Sequence, residues 1–280
     1  MSSRKFASAI IRDPGQDING SGFRLKAGRT NRKMTIMSNK QLKIENLKVA
    51  RGGQEIVHGV SFEIPAGTLR VLMGPNGSGK SSLANALMGH PDYVITDGCV
   101  VLDGEDITSL TPDRRARLGL LLSLQSPPEV PGVPLAEFLR LVYNSLHDQD
   151  IDPVDFRQML EVQLKRFGLP ISFADRGVNE GFSGGERKKS EMLQLAVLSP
   201  KYAVLDETDS GLDVDALKMV AEGVNALQSE GTGLLLITHH TRILDYLKPD
   251  RVLVMKDGHI VREGGPELAR EIEEKGFGEI

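Results

Sequence analysis

The chain has 280 residues, 40% hydrophobic and 26% charged, with a formal net charge of −4. That is enough material for one large core or two closely joined ones, and it gives no overall pull toward nucleic acid. No apolar run approaches the roughly 20 residues that span a bilayer, so no direct membrane span is expected, and the single cysteine, Cys99, excludes an internal disulfide or a four-cysteine metal or cluster site.

Residues 1–40 carry nine lysines and arginines against Asp13 and Asp17, and glycines break any periodicity. This segment is expected to be a basic, disordered tail without a signal-peptide core. From Gln41 the pattern is strand-like. Leu42, Ile44 and Leu47, then Ile56, Val57, Val60, Phe62 and Ile64, predict an antiparallel ribbon around the turn Arg51-Gly52-Gly53-Gln54.

The apolar stretch Leu69–Met73 runs straight into Gly74-Pro75-Asn76-Gly77-Ser78-Gly79-Lys80-Ser81-Ser82. This is the GxxxxGK[ST] phosphate loop between a strand and a helix. Its glycines let successive backbone N–H groups turn toward a polyphosphate, and the helix that follows adds the positive end of its dipole. Lys80 is expected to reach the β and γ phosphates of ATP. Ser81 is expected to ligate Mg²⁺.

Further along, a strand at Cys99–Leu102 leads to a turn at Asp103-Gly104-Glu105, and a short helix follows at Pro112–Leu118 with Thr111 as N-cap. Cys99 is read as a small core residue of that strand. Leu120–Leu124 reads as a buried strand ending at Gln125. Pro127, Pro128, Pro131 and Pro134 then make a stiff connection, and Leu135–Leu146 and Val154–Phe167 have helical periodicity. Residues 126–199 are therefore expected to form an inserted helical subdomain. Phe182-Ser183-Gly184-Gly185-Glu186 opens a helical run through Leu198, a second helix N-terminus suited to phosphate. Arg187, Lys188 and Lys189 are expected on its solvated face.

A buried strand returns at Tyr202–Leu205 and ends in Asp206-Glu207. Carboxylates at the carboxyl end of a strand stand where α/β sheets bind ligands. Asp206 is expected to be the Mg²⁺ partner through water, and Glu207 the general base for an attacking water. A helix at Val214–Ser229 and a strand at Leu234–Ile237 follow, with His239 two residues beyond. Alternating strands and helices around a phosphate loop predict a mostly parallel α/β sheet.

The order of these parts resembles the ATP-binding-cassette (ABC) ATPases: phosphate loop, Gln125, Ser183-Gly184-Gly185, Asp206-Glu207, Ser210-Gly211-Leu212-Asp213, His239. The resemblance covers about residues 41–275, leaving 276–280 as a C-terminal end. It implies a P-loop ABC ATPase fold, a mostly parallel sheet core with an antiparallel β subdomain and the inserted helical subdomain. It also implies Mg-dependent hydrolysis of ATP by a transient head-to-tail homodimer. There Ser183, Gly184 and Gly185 of one subunit would meet the γ-phosphate held by the other's Lys80, and Ser210–Asp213 would run along the seam. His239 would hold the γ-phosphate and Gln125 would contact Mg²⁺.

Transporter members usually carry proline after the catalytic glutamate and glutamine after the signature glycines. Here Thr208 and Glu186 stand in those places. The strings Leu205–Lys218, Phe182–Lys189 and Thr238–Tyr246 are similar to the SufC-type ATPases of the Suf iron–sulfur cluster assembly machinery, except at His240, where tyrosine is expected. That branch implies SufB-like and SufD-like scaffold partners, met around Ser126–Arg140, and a cytoplasmic setting, or a plastid if the tail is a transit peptide. The alternative is the nucleotide-binding subunit of an ABC membrane transporter. No aromatic residue occurs from Gln41 to Ser61, so the base-stacking position falls to Arg51 or Val49.

Overall fold

The computed structural model describes residues 40–123 and 128–277. The expected basic tail (residues 1–39), Gln125 and the last three residues lie outside them.

Strand β1 (Gln41–Arg51) turns through Gly52-Gly53 into β2 (Gln54–Pro65), and β3 (Leu69–Met73) leads through the glycine loop to helix α1 (Lys80–Met88). Next come β4 (Val94–Leu102), β5 (Glu105–Asp106), α2 (Pro112–Arg117) and β6 (Leu120–Ser123). The middle of the chain forms β7 (Val130–Pro134), α3 (Leu135–His147), α4 (Pro153–Arg166), β8 (Gly177–Val178) and α5 (Gly184–Leu198). The last third forms β9 (Tyr202–Asp206), α6 (Val214–Ser229), β10 (Gly233–Ile237), β11 (Arg251–Lys256), β12 (His259–Gly264) and α7 (Pro266–Lys275).

The main sheet has the order β12-β11-β3-β10-β9-β6 and is parallel except for the edge strand β12. An antiparallel sheet, β2-β1-β4-β5, packs beside it. The fold is thus the expected α/β arrangement with an antiparallel β part and helices.

The apolar runs explain the layering. Every residue of β9 and β10 is buried, as strands covered on both faces require. Successive side chains point to opposite faces. Leu69, Val71, Leu205, Leu234, Leu236, Val252 and Val254 join one core, with α3 to α7. Leu72, Val204, Leu235, Ile237, Leu253 and Met255 join the other, with α1 and the antiparallel sheet. Because β10 lies between β3 and β9, the ends of these three strands bring the phosphate loop, His239 and the Asp206-Glu207 pair to one edge.

One buried cation holds the phosphate-loop helix in place. Arg115 of α2 is 1% exposed. Its guanidinium donates to Ala86 O (2.9 Å) and Leu87 O (2.6 Å), closing the C-terminal carbonyls of α1, and to Thr108 O (2.7 Å) and Leu110 O (2.9 Å). A positive charge at a helix C-terminus also suits its dipole. Replacing Arg115 by Ala strands these carbonyls in the core, and a stability loss of about 3 kcal/mol is expected in chemical denaturation. A loss under about 1 kcal/mol would show that water or a neighbour replaces the guanidinium.

Several local expectations need correction. Pro131 and Pro134 do not form a mere connector, since Val130–Pro134 is a strand paired with β8. Cys99 is not a core residue; it lies mid-strand, half-buried, with its thiol directed at Glu45 Oε2 (3.5 Å). Val100 and Leu102 fill the core instead. Lys188 is not on a solvated face. It is buried and paired with Glu191 at 3.1 Å, while Glu191 accepts from Ser123 Oγ at 2.9 Å. Leu135 and Leu139 are fully buried, so they belong to the core and leave Phe138 half-buried on that segment.

Candidate active site

The phosphate loop has the geometry its glycines suggest. A Cβ on Gly74 would sit 2.1 Å from Met255 O, so no side chain fits where the loop leaves β3. Gly79 caps α1 with φ at 105°, a conformation L residues avoid. The loop is braced from behind by Gly258 N–H, which donates to Ser78 O at 3.0 Å.

Lys80 is 4% exposed and spans the loop, donating to Gly74 O (2.8 Å) and Pro75 O (2.9 Å). Burial lowers its pKa, and the carboxylates of Glu207 and Asp206 oppose that shift. Ser78 Oγ is buried without a hydrogen-bond partner in the structure. The loop fronts a cavity of about 450 Å³ bounded by Ile56, Asn76, Gly77, Lys80, Ser81, Ser82 and Glu207. That volume suits a small-molecule ligand.

Ser81 Oγ donates to Asp206 Oδ1 at 3.2 Å, joining the first turn of α1 to the end of β9. Asp206 is 4% exposed, and burial raises its pKa, with Glu207 adding to the rise and Ser81 opposing it. A hydroxyl and a carboxylate are hard oxygen donors. Among the described residues no cluster of three or more His, Cys, Asp or Glu could hold a metal. The Ser81 hydroxyl and the Asp206 carboxylate fit Mg²⁺, which is commonly held by one or two protein groups together with substrate phosphates.

Glu207 breaks the strand geometry. Its φ is 50°, in the left-handed region, while its N–H donates to Ile237 O at 2.9 Å. Non-glycine residues held there are concentrated at functional sites. Glu207 Oε1 lies 3.2 Å from His239 Nδ1. The structure thus brings Lys80, Ser81, Asp206, Glu207 and His239 to one strand-end edge. Gln125 lies outside the described residues.

Ser183, Gly184 and Gly185 do not line the cavity. They open α5 at the surface. Ser183 accepts from Glu186 N–H (3.2 Å), and Glu186 accepts from Ser183 N–H (2.9 Å), a complete capping box. The Ser183 backbone N–H, helped by Arg176 at 2.6 Å, holds the Glu186 carboxyl below its usual range. Glutamate after the two glycines therefore has a local cause.

Neither expected base-stacking residue meets the cavity. Val49 is fully buried, and Arg51 lies over the Tyr93 ring, 5.0 Å from its centroid. Ile56, expected only as a residue of the antiparallel ribbon, borders the cavity. The strand β11, which supplies Met255 O and leads to Gly258, was not assigned from the sequence either.

The profile of the ABC transporter family matches residues 57–210. The chain is 46% identical over 245 residues to the "Probable ATP-dependent transporter slr0075" of Synechocystis sp., covering 86% of this chain and 96% of that one. Among solved structures, an ATP-binding cassette of an ABC transporter, MJ1267, superposes with a TM-score of 0.70 at 27% identity, over 84% of this chain and 96% of that one. The bacterial ABC transporter cassette MJ0796, described as dimeric, gives a TM-score of 0.70 at 22% identity, over 80% and 98%, and shows the fold alone.

Proposed function

This chain belongs to the ABC transporter family as a nucleotide-binding, ATP-hydrolysing cassette, and we propose that it drives iron–sulfur cluster assembly as a Suf-type ATPase. The cassette spans residues 41–275, with 126–199 as its inserted helical part. The observation that carries the ATPase reading is the gathering of Lys80, Ser81, Asp206, Glu207 and His239 at one edge, beside the glycine loop.

In this reading the loop N–H groups and Lys80 bind the β and γ phosphates of ATP. Glu207 orients water and takes its proton as the water oxygen attacks the γ phosphorus, and the bridging oxygen leaves with ADP. His239, 3.2 Å from Glu207 through Nδ1, holds the γ-phosphate. Ser81, Asp206 and Gln125 would hold Mg²⁺, which when bound neutralises charge on the phosphate oxygens. Ser183, Gly184 and Gly185 of a second copy would complete the site. The exposed position of Ser183 and Gly184 at the start of α5 supports a head-to-tail dimer.

The Suf reading rests on Thr208, which stands where transporter cassettes carry proline, and on the similarity of the string Leu205–Lys218. Thr208 and Asp209 are buried, and Asp209 accepts from Thr238, just past β10. Its partners are soluble SufB-like and SufD-like scaffolds. The second reading, a transporter subunit, is favoured by the name of the Synechocystis relative. Among the described residues no helix is long and apolar enough to cross a membrane, so that reading needs a separate permease. The two are separated by steady-state ATP hydrolysis with and without purified scaffold. Stimulation of several fold by a SufB-like and SufD-like pair is expected, and no change at saturating scaffold would contradict the Suf reading.

A further inference from the structure

We propose that Asp209 and Thr238 form a clamp that positions His239 against Glu207, an inference that rests on the catalytic roles given to those two residues above. Strands β9 and β10 run in register until Asp206 meets Ile237. Beyond that point two backbone bonds remain, Glu207 N–H to Ile237 O (2.9 Å) and Thr238 N–H to Leu72 O (3.2 Å), and none reaches His239. Two side-chain links add to them. One joins Glu207 to His239 at 3.2 Å. The other is a 2.6 Å hydrogen bond from Thr238 Oγ1 to Asp209 Oδ2, in the range of a hydroxyl donating to a carboxylate.

Thr238 is fully buried and Asp209 is 6% exposed, so water does not dilute this contact. The same Thr238 oxygen accepts from His240 N–H at 2.9 Å. The hydroxyl therefore brackets His239 on both sides. It is anchored to the loop after Glu207 and grips the backbone just past the histidine. With the turn fixed in this way, the His239 ring is delivered to Glu207 rather than left to sample solvent.

The clamp is not an economical way to build a core. Asp209 Oδ1 and Thr208 Oγ1 are buried with no hydrogen-bond partner in the structure. Burial also raises the Asp209 pKa, opposed first by the Thr238 bond. A network left partly satisfied loses stability relative to apolar packing. Local rules broken in this way are characteristic of functional sites.

The test compares Asp209→Ala, Thr238→Val and Thr238→Ser in the full chain. Thr238→Val keeps the shape and removes the hydroxyl, and Thr238→Ser keeps the hydroxyl. In Asp209→Ala and Thr238→Val, kcat for ATP hydrolysis is expected to fall at least tenfold while KM for ATP changes less than twofold. Thr238→Ser is expected to stay within threefold of the parent. The double variant is expected to be no worse than the poorer single one, because both remove one linkage. Thermal melts and nucleotide affinity report folding. If Asp209→Ala fails to fold, Thr238→Val against Thr238→Ser carries the test, and equal kcat in those two variants would overturn the clamp.

Additive losses, a rise in KM without loss of kcat, or failure of Thr238→Ser to rescue would overturn the clamp. Glu207→Gln run alongside separates the two claims. If it abolishes turnover while the clamp variants remain fully active, only the clamp is wrong. If it leaves turnover intact, the base assignment beneath the clamp is wrong.

Discussion

Lys80→Ala is expected to weaken ATP binding by at least about a hundredfold, the largest single loss at the site. Its ammonium is nearly inaccessible to water and makes two close contacts to loop carbonyls. Burial alone disfavours that charge, and Asp206 and Glu207 sustain it. A buried cation is therefore held at the mouth of the cavity at an energetic cost, which an anionic ligand recovers. Hydrogen bonds to charged groups contribute about 1.5–3 kcal/mol each, and two lost phosphate contacts convert to roughly two to four decades in affinity. Fluorescent-nucleotide titration measures this directly, with a denaturation curve to show that the loop still folds. Near-normal affinity in a folded variant would overturn the phosphate-loop assignment.

Glu207→Gln is the second large effect, and it separates binding from turnover. The amide is nearly isosteric and can still accept from His239, but it cannot take a proton from water. Loss of a general base costs about two to four decades in rate. Steady-state hydrolysis is therefore expected to fall at least a hundredfold while ATP affinity is preserved. With the bound nucleotide no longer consumed, the paired form persists, and a dimer is expected in gel filtration with ATP and absent with ADP. Unchanged hydrolysis would remove Glu207 from its role as base. Lost hydrolysis without any ATP-dependent dimer would leave the base in place and remove the head-to-tail arrangement.

The parts of the site that are legible in the sequence are those whose chemistry constrains spacing. A glycine loop between an apolar strand and a helix leaves little freedom in what it binds. Asp206 and Glu207 are recognisable because four mostly apolar residues place them at a strand end. The same logic reads β3, β9 and β10 from composition, since strands covered on both faces are continuous apolar runs.

What the sequence leaves hidden depends on which face a residue meets. Lys188 looks like one more surface cation, yet the turn of α5 directs it inward to Glu191 three residues on. Val49 alternates into the antiparallel core, so it is closed to a ligand, while Ile56 in the facing strand borders the cavity. The first half of β4 is obscured by Asp97 and Gly98, where the strand takes a bulge against β1. The Asp209–Thr238 contact joins residues 29 apart through a hydroxyl that sequence pattern does not mark.

The central claim is that this cassette works on soluble scaffolds. Its most direct test is affinity capture with the full-length, tagged Glu207→Gln chain in the presence of ATP, followed by mass spectrometry of what is retained. SufB-like and SufD-like proteins are expected, recovered with ATP and lost with ADP. Recovery of an integral membrane permease in their place would contradict it and make the chain a transporter subunit.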